Sequence, residues 1–280
     1  MKQVVLVVVL IVWCSIVYGQ ECGDAQECYT AGVDLYKEGK NEEAVDYLKK
    51  ALEYNSEYVD AAVLLGNILY GLEEYESALV YYEKAVTIEP EEEYHWYYMG
   101  LTLNMLNRPG EALNYLEKAL EMNPRFKCAW YEKGYSYVML EDYNNAVDCF
   151  DKSIEIDPSD PWIHFLKGDI LSGMEKYEDA VNSYDIALAL NEDFVEAWTE
   201  KGYSLIQLEE YEKALECMEK ALELDPENEQ ALQYRAELEK KIPVPPESEV
   251  PQETEEVEPE AGIFSGLLVV IGFVVMLLRH

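Results

Sequence analysis

The side chains of this chain that could do chemistry are few and widely spaced. Two of its three histidines, His95 and His164, could bind a metal ion or transfer protons, but they lack the spacing of metal ligands. The acidic runs at residues 91–93 and 209–210 could attract calcium, yet they lack the alternating Asp, Asn and Gly residues of a calcium loop. The chain has no Gly-rich phosphate loop and no His-Glu-x-x-His or Gly-x-Ser-x-Gly motif. We therefore expect no catalytic residue, no metal site and no cofactor.

The cysteines do not form a disulfide framework. Cys22 and Cys28 are close enough in sequence to close a small loop by a disulfide, or they could both be free thiols. We expect Cys128, Cys149 and Cys217 to be small buried hydrophobic residues.

The charge balance and the composition exclude two classes of protein. The chain carries 57 Asp and Glu residues against 21 Lys and Arg residues, a formal net charge of −36. A polyanion of this strength is repelled by phosphate backbones, so we expect no nucleic-acid partner. Because 49% of the residues are apolar and 23 are tyrosines, the composition is not that of a disordered chain.

A spacing of 34 residues organises the middle of the chain. Small residues recur at this spacing in three series: Gly32, Gly66, Gly100, Gly134, Gly168 and Gly202; Ala44, Ala78, Ala112, Ala146, Ala180 and Ala214; and Ala51, Ala85, Ala119, Ser153, Ala187 and Ala221. A small residue at a fixed position indicates that two paired helices approach closely there. The spacing predicts helix hairpins, and it places them at residues 25–58, 59–92, 93–126, 127–160, 161–194 and 195–228.

The residues at these positions resemble the signature of the tetratricopeptide repeat family over residues 25–228. The aromatic and proline positions of the signature are Trp96, Trp130, Trp198, Tyr75, Tyr143, Tyr177, Tyr211, Pro90, Pro124, Pro158 and Pro226. Several positions depart from it: Cys28, Ala62 and His164 replace the Trp, and Asn41 and Pro109 replace the Tyr. The resemblance implies an all-α fold, a right-handed superhelical solenoid of six hairpins with a concave groove. Residues 229–242 then form a capping helix with a charged outer side.

In this family the second, fifth, ninth and twelfth positions of each first helix line the groove. At these positions the predicted partner-binding residues are Tyr29, Tyr36, Asn67, Tyr70, Tyr94, Tyr97, Tyr131, Tyr135, Trp162, Phe165, Asp169 and Tyr203. An aromatic groove would suit an extended peptide or an amphipathic helix, because tyrosine offers both contact area and a hydroxyl. The alternative is that these aromatic residues pack between helices and contact no ligand.

The charge of the groove positions predicts the kind of partner. Family members that hold a peptide's terminal carboxylate use Lys, Asn and Arg on the first helices. The predicted binding residues include no Lys or Arg, and Asn67 is the only one of them that matches that set. We therefore expect a protein or peptide partner that is apolar or basic rather than acidic.

The two ends of the chain differ from the repeats. Residues 1–19 combine a basic start with an apolar run and suit a cleaved signal peptide, with an uncleaved anchor as the alternative. Residues 243–260 are acidic and rich in proline, and they predict a disordered linker. Residues 261–278 carry no charge and suit a transmembrane helix, or a tail resembling the surface-sorting tails of prokaryotes, especially archaea. These segments predict a cell-membrane protein that is anchored by its C-terminal tail, with extracytoplasmic repeats.

Together the segments leave no room for a catalytic domain of ordinary size. We therefore expect a non-catalytic protein-interaction scaffold that is displayed outside the membrane and binds its partner in the groove. Two alternatives remain open. One is an assembly or chaperone-like factor for exported or envelope proteins, and the other is a self-associating component of a surface structure.

Overall fold

The computed structural model describes residues 22–242, which form thirteen α-helices and no strand. The helices are α1 (Ala25–Lys37), α2 (Asn41–Tyr54), α3 (Val59–Gly71), α4 (Tyr75–Ile88), α5 (Glu93–Met105), α6 (Pro109–Met122), α7 (Lys127–Met139), α8 (Tyr143–Ile156), α9 (Pro161–Gly173), α10 (Tyr177–Leu190), α11 (Val195–Gln207), α12 (Tyr211–Leu224) and α13 (Glu229–Lys241). The predicted signal peptide, acidic linker and transmembrane tail lie outside the described residues.

The helices pack in chain order. Each odd-numbered helix from α1 to α11 pairs with the helix that follows it, and each pair packs against the next. Helix α13 packs mainly on α12 and covers the end of the stack. This sequential packing confirms the all-α superhelical solenoid that the 34-residue spacing predicts.

The recurring glycines lie where the two helices of a hairpin approach most closely. A Cβ atom at Gly100 of α5 would lie 2.5 Å from Cγ of Leu116 on α6, which is far inside van der Waals contact. Leu116 is fully buried and therefore has little freedom to move away. A side chain at this position of the first helix would therefore force Leu116 or one of the two helices to shift.

Within each hairpin, a tight turn leaves one residue in the left-handed backbone region. These residues are Gly39, Glu73, Asn107, Glu141, Glu175 and Glu209, all with φ between 57° and 76°. In the second hairpin, the N–H of Glu73 donates to the carbonyl of Tyr70 at 3.0 Å, and the N–H of Glu74 donates to that of Leu69 at 2.9 Å. The turn thus satisfies carbonyl groups at the end of α3, even though four of the six turns use glutamate, which disfavours this backbone region.

A ladder of ion pairs joins neighbouring hairpins. Lys133, Lys167 and Lys201 occupy equivalent positions on α7, α9 and α11. Each pairs with an acidic residue on the preceding second helix: Lys133 with Glu117, Lys167 with Asp151, and Lys201 with Asp185. Two of the ammonium groups also lie over a tryptophan ring, since Lys133 is 5.5 Å from the Trp130 ring centre and Lys201 is 5.2 Å from that of Trp198. The acidic residues of the second helices therefore neutralise the charge of these three lysines, and the tryptophan rings add a favourable contact for two of them.

The cysteines differ partly from expectation. Cys22 and Cys28 form a disulfide with their Cα atoms 5.0 Å apart, which closes the short loop before α1. Cys149 and Cys217 are buried, as expected. The prediction that Cys128 is buried is wrong, because this residue is exposed at the second position of α7.

The predicted location at the cell membrane, with an anchoring tail, is contradicted. Among residues 22–242, none of the helices is both long enough and apolar enough to cross a bilayer. Each of these helices has only 13 or 14 residues. Residues 1–19 and 261–278, from which that location was predicted, lie outside the described part of the chain.

Candidate binding groove

The first helices of the first three hairpins line an open groove of about 600 Å³. Four of the predicted binding residues lie in its lining: Tyr29, Tyr36, Asn67 and Tyr94. The groove is also lined by residues that were not among the predicted binding residues: Asp60, Glu89, Glu92 and Tyr98. The groove therefore combines aromatic surface with carboxylates.

The twelve predicted residues differ in how much of each side chain a ligand could reach. Four are exposed: Tyr36, Tyr94, Tyr135 and Trp162. Seven are half-buried: Tyr29, Asn67, Tyr70, Tyr97, Tyr131, Asp169 and Tyr203. Phe165 is buried at 6% exposure. Ligand contact is thus open to the first four over much of their surface, and burial leaves little of Phe165 to contact.

Several of the half-buried aromatic residues are held by other rings. Tyr97 packs against Phe126 with ring centres 5.0 Å apart, and Tyr131 packs against Phe150 at 5.7 Å. Burial and the nearby Glu132 carboxylate raise the pKa of Tyr70 to about 12. These contacts give the groove a fixed aromatic floor beneath the exposed side chains.

Two polar residues of the groove hold buried tyrosines of the second helices. The hydroxyl of Tyr82 donates to Oδ1 of Asn67 at 2.8 Å, and the hydroxyl of Tyr184 donates to Oδ1 of Asp169 at 2.8 Å. The two pairs occupy equivalent positions in their hairpins. Asp169 carries a charge where Asn67 does not, and burial raises the pKa of its carboxyl to about 6.

A buried polar network that the sequence did not indicate lies between α5 and α7. Nδ2 of Asn104 donates to Oε2 of Glu132 at 3.0 Å, and Oγ of Ser136 donates to Oδ1 of Asn104 at 2.7 Å. Glu132 is 9% exposed, and burial raises the pKa of its carboxyl. Asn104 stands at the twelfth position of α5, so its position alone could have suggested a role at this face.

Replacing Asn104 with alanine is expected to lower the free energy of unfolding by about 2 kcal/mol, because Glu132 and Ser136 would lose a buried hydrogen-bond partner. Urea unfolding followed by circular dichroism would measure the change. The control is Asn114→Ala, which removes an exposed amide whose hydrogen bond to the carbonyl of Gly110 is 3.3 Å long. Equal effects of the two substitutions would contradict a special role for the network.

The two histidines bond to the backbone of the loops before their helices. Nε2 of His164 lies 3.0 Å from the carbonyl oxygen of Pro158. This contact matches the one made by the equivalent Trp130, whose Nε1 donates to the carbonyl of Pro124 at 2.9 Å. Nδ1 of His95 similarly lies 3.2 Å from the carbonyl oxygen of Glu89. Across residues 22–242, no group of three or more His, Cys, Asp or Glu side chains is arranged to hold a metal ion.

A second cleft, of about 620 Å³, lies beside α10, α11 and α12. Its charged side chains largely pair with one another: Lys201 with Asp185, Lys213 with Glu210, and Lys220 with Glu223. Because these charges are already paired within the protein, they are less available to a ligand than the aromatic side chains of the 600 Å³ groove are.

The comparison with known families agrees with this geometry. Five profiles, each described as a tetratricopeptide repeat, match residues 29–93, 96–126, 128–160, 149–182 and 195–228, which together make up more than half of the chain. The chain belongs to the tetratricopeptide repeat family. Among curated proteins, none is significantly similar to it in sequence.

Several solved structures share this fold. YrrB, described as a tetratricopeptide repeat protein with an unusual peptide-binding site, is 25% identical, with a TM-score of 0.58 over 70% of this chain and 98% of YrrB. PilF of Pseudomonas aeruginosa is 20% identical, with a TM-score of 0.63 over 76% of this chain and 97% of PilF. PilW, described as a type IV pilus biogenesis factor, is 17% identical, with a TM-score of 0.65 over 75% and 97%. At these identities PilF and PilW show the shared fold alone.

Proposed function

We propose that the tetratricopeptide repeats form a non-catalytic scaffold that binds a peptide or a segment of a partner protein in the first-helix groove, the surface formed by the first helices of all six hairpins. This surface includes the 600 Å³ groove of the first three hairpins and, beyond it, the exposed rings of Tyr135 and Trp162. The observation that carries this proposal is the exposure of Tyr94 and Trp162, which are 48% and 45% exposed. Both rings rest on phenylalanines that precede the next first helix, Phe126 and Phe194 respectively. An exposed aromatic side chain that is held in place offers contact area at little cost in conformational entropy.

The comparison with YrrB supports the same function. YrrB, which is described as having a peptide-binding site, shares the fold over 70% of this chain. The groove also offers hydrogen-bonding groups between its rings, including Asn67 and the hydroxyl of Tyr36. Aromatic surface with interspersed polar groups suits a peptide that exposes both apolar side chains and backbone.

The test selects peptides from a random phage-displayed library on the full chain and measures their affinities for two variants. The groove variant carries Tyr94→Ala, Tyr135→Ala and Trp162→Ala. The control variant carries Tyr54→Ala and Tyr143→Ala, which remove exposed aromatic rings on the second helices α2 and α8. Truncation of one anchoring aromatic residue typically costs about 2 kcal/mol of binding, so we expect the groove variant to lose affinity at least about thirtyfold.

Circular dichroism must show the same helicity for both variants, and the control variant should keep its affinity. Peptides that bind both variants equally would place the binding site elsewhere and overturn the proposal. If the selection yields no peptide and light scattering shows that the purified chain self-associates, a self-associating structural component becomes the better interpretation.

A further inference from the structure

The junctions between successive first helices alternate in chemistry along the solenoid. Each junction combines the second residue of one first helix with the residue just before the next first helix. In the third and fifth hairpins both residues are aromatic, and their rings are in contact. The first hairpin differs slightly: Tyr58, the residue before α3, contacts Tyr29, which is the fifth residue of α1. We call these three contacts aromatic pads: Tyr29 with Tyr58, Tyr94 with Phe126, and Trp162 with Phe194.

The rings of each pad are closely packed, and the second and third pads each combine an exposed ring, Tyr94 or Trp162, with a phenylalanine that is buried at 7% exposure. The ring centres are 4.9 Å apart in the first pad, 4.7 Å in the second and 5.5 Å in the third. In the third pad the two rings are nearly parallel, with 17° between their planes. Each pad is therefore a preformed aromatic surface on which an apolar side chain could lie.

The intervening junctions are acidic. The same two positions hold Asp60 and Glu92 in the second hairpin, Cys128 and Asp160 in the fourth, and Glu196 and Asn228 in the sixth. We call these junctions acidic gaps. In the described part of the chain, none of their four carboxylates forms an ion pair with a lysine or arginine of the protein.

One continuous groove is lined by one ring from each of two pads and by both carboxylates of the gap between them. Tyr29, Asp60, Glu92 and Tyr94 all line the 600 Å³ groove over the first three hairpins. Among the residues that line it, the only lysine or arginine is Lys37, which lies 3.6 Å from a carboxylate oxygen of Asp34 on its own helix. The unpaired charge in the groove is thus negative and lies between aromatic surfaces.

We propose that this groove binds an extended basic peptide whose apolar side chains lie on the aromatic pads and whose lysine or arginine side chains lie in the acidic gap. The proposal rests on the proposed scaffold function and specifies the chemistry of the partner. An acidic peptide would be repelled by the gap, and a peptide without apolar anchors would leave the pads uncovered.

The geometry also sets the spacing of the apolar side chains. Packed helices lie about 10 Å apart, so pads separated by one intervening first helix are about 20 Å apart. An extended chain covers this distance with about six residues. The spacing therefore distinguishes this mode of binding from general attraction between a polyanion and a cationic peptide.

The experiment uses fluorescence anisotropy with the full chain and fluorescein-labelled synthetic peptides. The probe peptide has two phenylalanines about six residues apart with two lysines between them, to match the estimated spacing of the pads. One matched peptide replaces the lysines with glutamine, a second replaces them with glutamate, and a third places the phenylalanines next to each other.

Two variants of the protein are compared with the wild type. The acidic-gap variant is Asp60→Asn with Glu92→Gln. The control is Glu76→Gln with Glu83→Gln, which removes two charges from the exposed face of α4 in the same hairpin.

We expect the lysine peptide to bind the wild type about tenfold more tightly than the glutamate peptide, with a preference that weakens in high salt. The acidic-gap variant should lose most of this preference and keep its affinity for the glutamine peptide. The control variant should behave like the wild type, and adjacent phenylalanines should weaken binding.

Equal binding of the lysine and glutamate peptides, an equal effect of the control variant, or no binding of any peptide would overturn this proposal. The variant Tyr94→Ala distinguishes a failure of the basic-peptide proposal from a failure of the proposed scaffold function. If the peptides bind regardless of charge and Tyr94→Ala weakens all of them, only the charge and spacing proposal fails. If Tyr94→Ala weakens none, both proposals fail.

Discussion

Replacing Gly168 with alanine is expected to destabilise the solenoid, whereas the same substitution at Gly173 in the same helix is expected to stabilise it. A Cβ atom at Gly168 would lie 2.5 Å from Cε1 and 2.8 Å from Cδ1 of Tyr184. Tyr184 is fully buried, and its hydroxyl is fixed by Asp169, so the ring cannot move aside without breaking that hydrogen bond. Such overpacking typically costs about 1–3 kcal/mol, and Gly168→Val should cost at least the upper end of that range.

Gly173 provides the matched control. It is the last residue of α9, and a Cβ atom there would meet no atom within 4 Å. Alanine should therefore gain about 0.5 kcal/mol by reducing the entropy of the unfolded chain. Urea unfolding of both variants, followed by circular dichroism, would show whether each substitution lowers or raises the free energy of unfolding. If both substitutions stabilise the protein, the close approach of α9 and α10 does not limit the size of the residue at position 168.

The glycine and alanine positions explain why the fold could be predicted from the sequence. They recur because close helix contacts need small residues, and this requirement is local and repeats in each hairpin. The turns within the hairpins gave a weaker signal. Gly39 and, more weakly, Asn107 suit the left-handed backbone that all six turns adopt, whereas the glutamates at positions 73, 141, 175 and 209 give no indication of it.

The candidate site was only partly predictable. Family position identified the groove-facing residues Tyr36, Tyr94, Tyr135 and Trp162, which the structure leaves exposed. It could not separate them from Phe165, because family position does not show which rings pack around a residue, and Phe165 lies between Tyr184 and Phe194. The Asn104 network was missed for the same reason, since its partners Glu132 and Ser136 come from the next hairpin.

Asp169→Asn is expected to stabilise the protein at pH 7 and to have little effect at pH 4. The folded-state pKa of Asp169 is about 6, because burial outweighs the hydrogen bond from Tyr184, and the charge of Glu200 adds to the rise. In the unfolded chain an aspartate has a pKa near 3.9. The folded state therefore binds this proton more tightly, and the stability that the protonated carboxyl contributes below about pH 4 is lost as the pH rises through 6.

The expected gain at pH 7 is about 1–2 kcal/mol, because a shift of two pKa units corresponds to about 2.7 kcal/mol and the carboxyl is only partly buried. Asparagine keeps an oxygen that can accept the hydrogen bond from Tyr184, as Asn67 does for Tyr82. The measurement is the difference in free energy of unfolding between variant and wild type at several pH values from 4 to 7. The other carboxylates are the same in both proteins, so their contribution to the pH dependence of stability largely cancels in this difference.

The equivalent second hairpin supplies the reverse experiment. Asn67→Asp places a carboxylate in the same half-buried position next to Tyr82, so it should leave stability nearly unchanged at pH 4 and lower it at pH 7. The two substitutions should therefore have opposite effects at neutral pH, with a difference of about 3 kcal/mol between them. If both variants are destabilised at every pH, the residue at this position is fixed by its shape and not by its charge. Opposite effects that develop as the pH rises from about 4 to 6 would show that the solenoid tolerates a charged Asp169 at a measurable cost in stability.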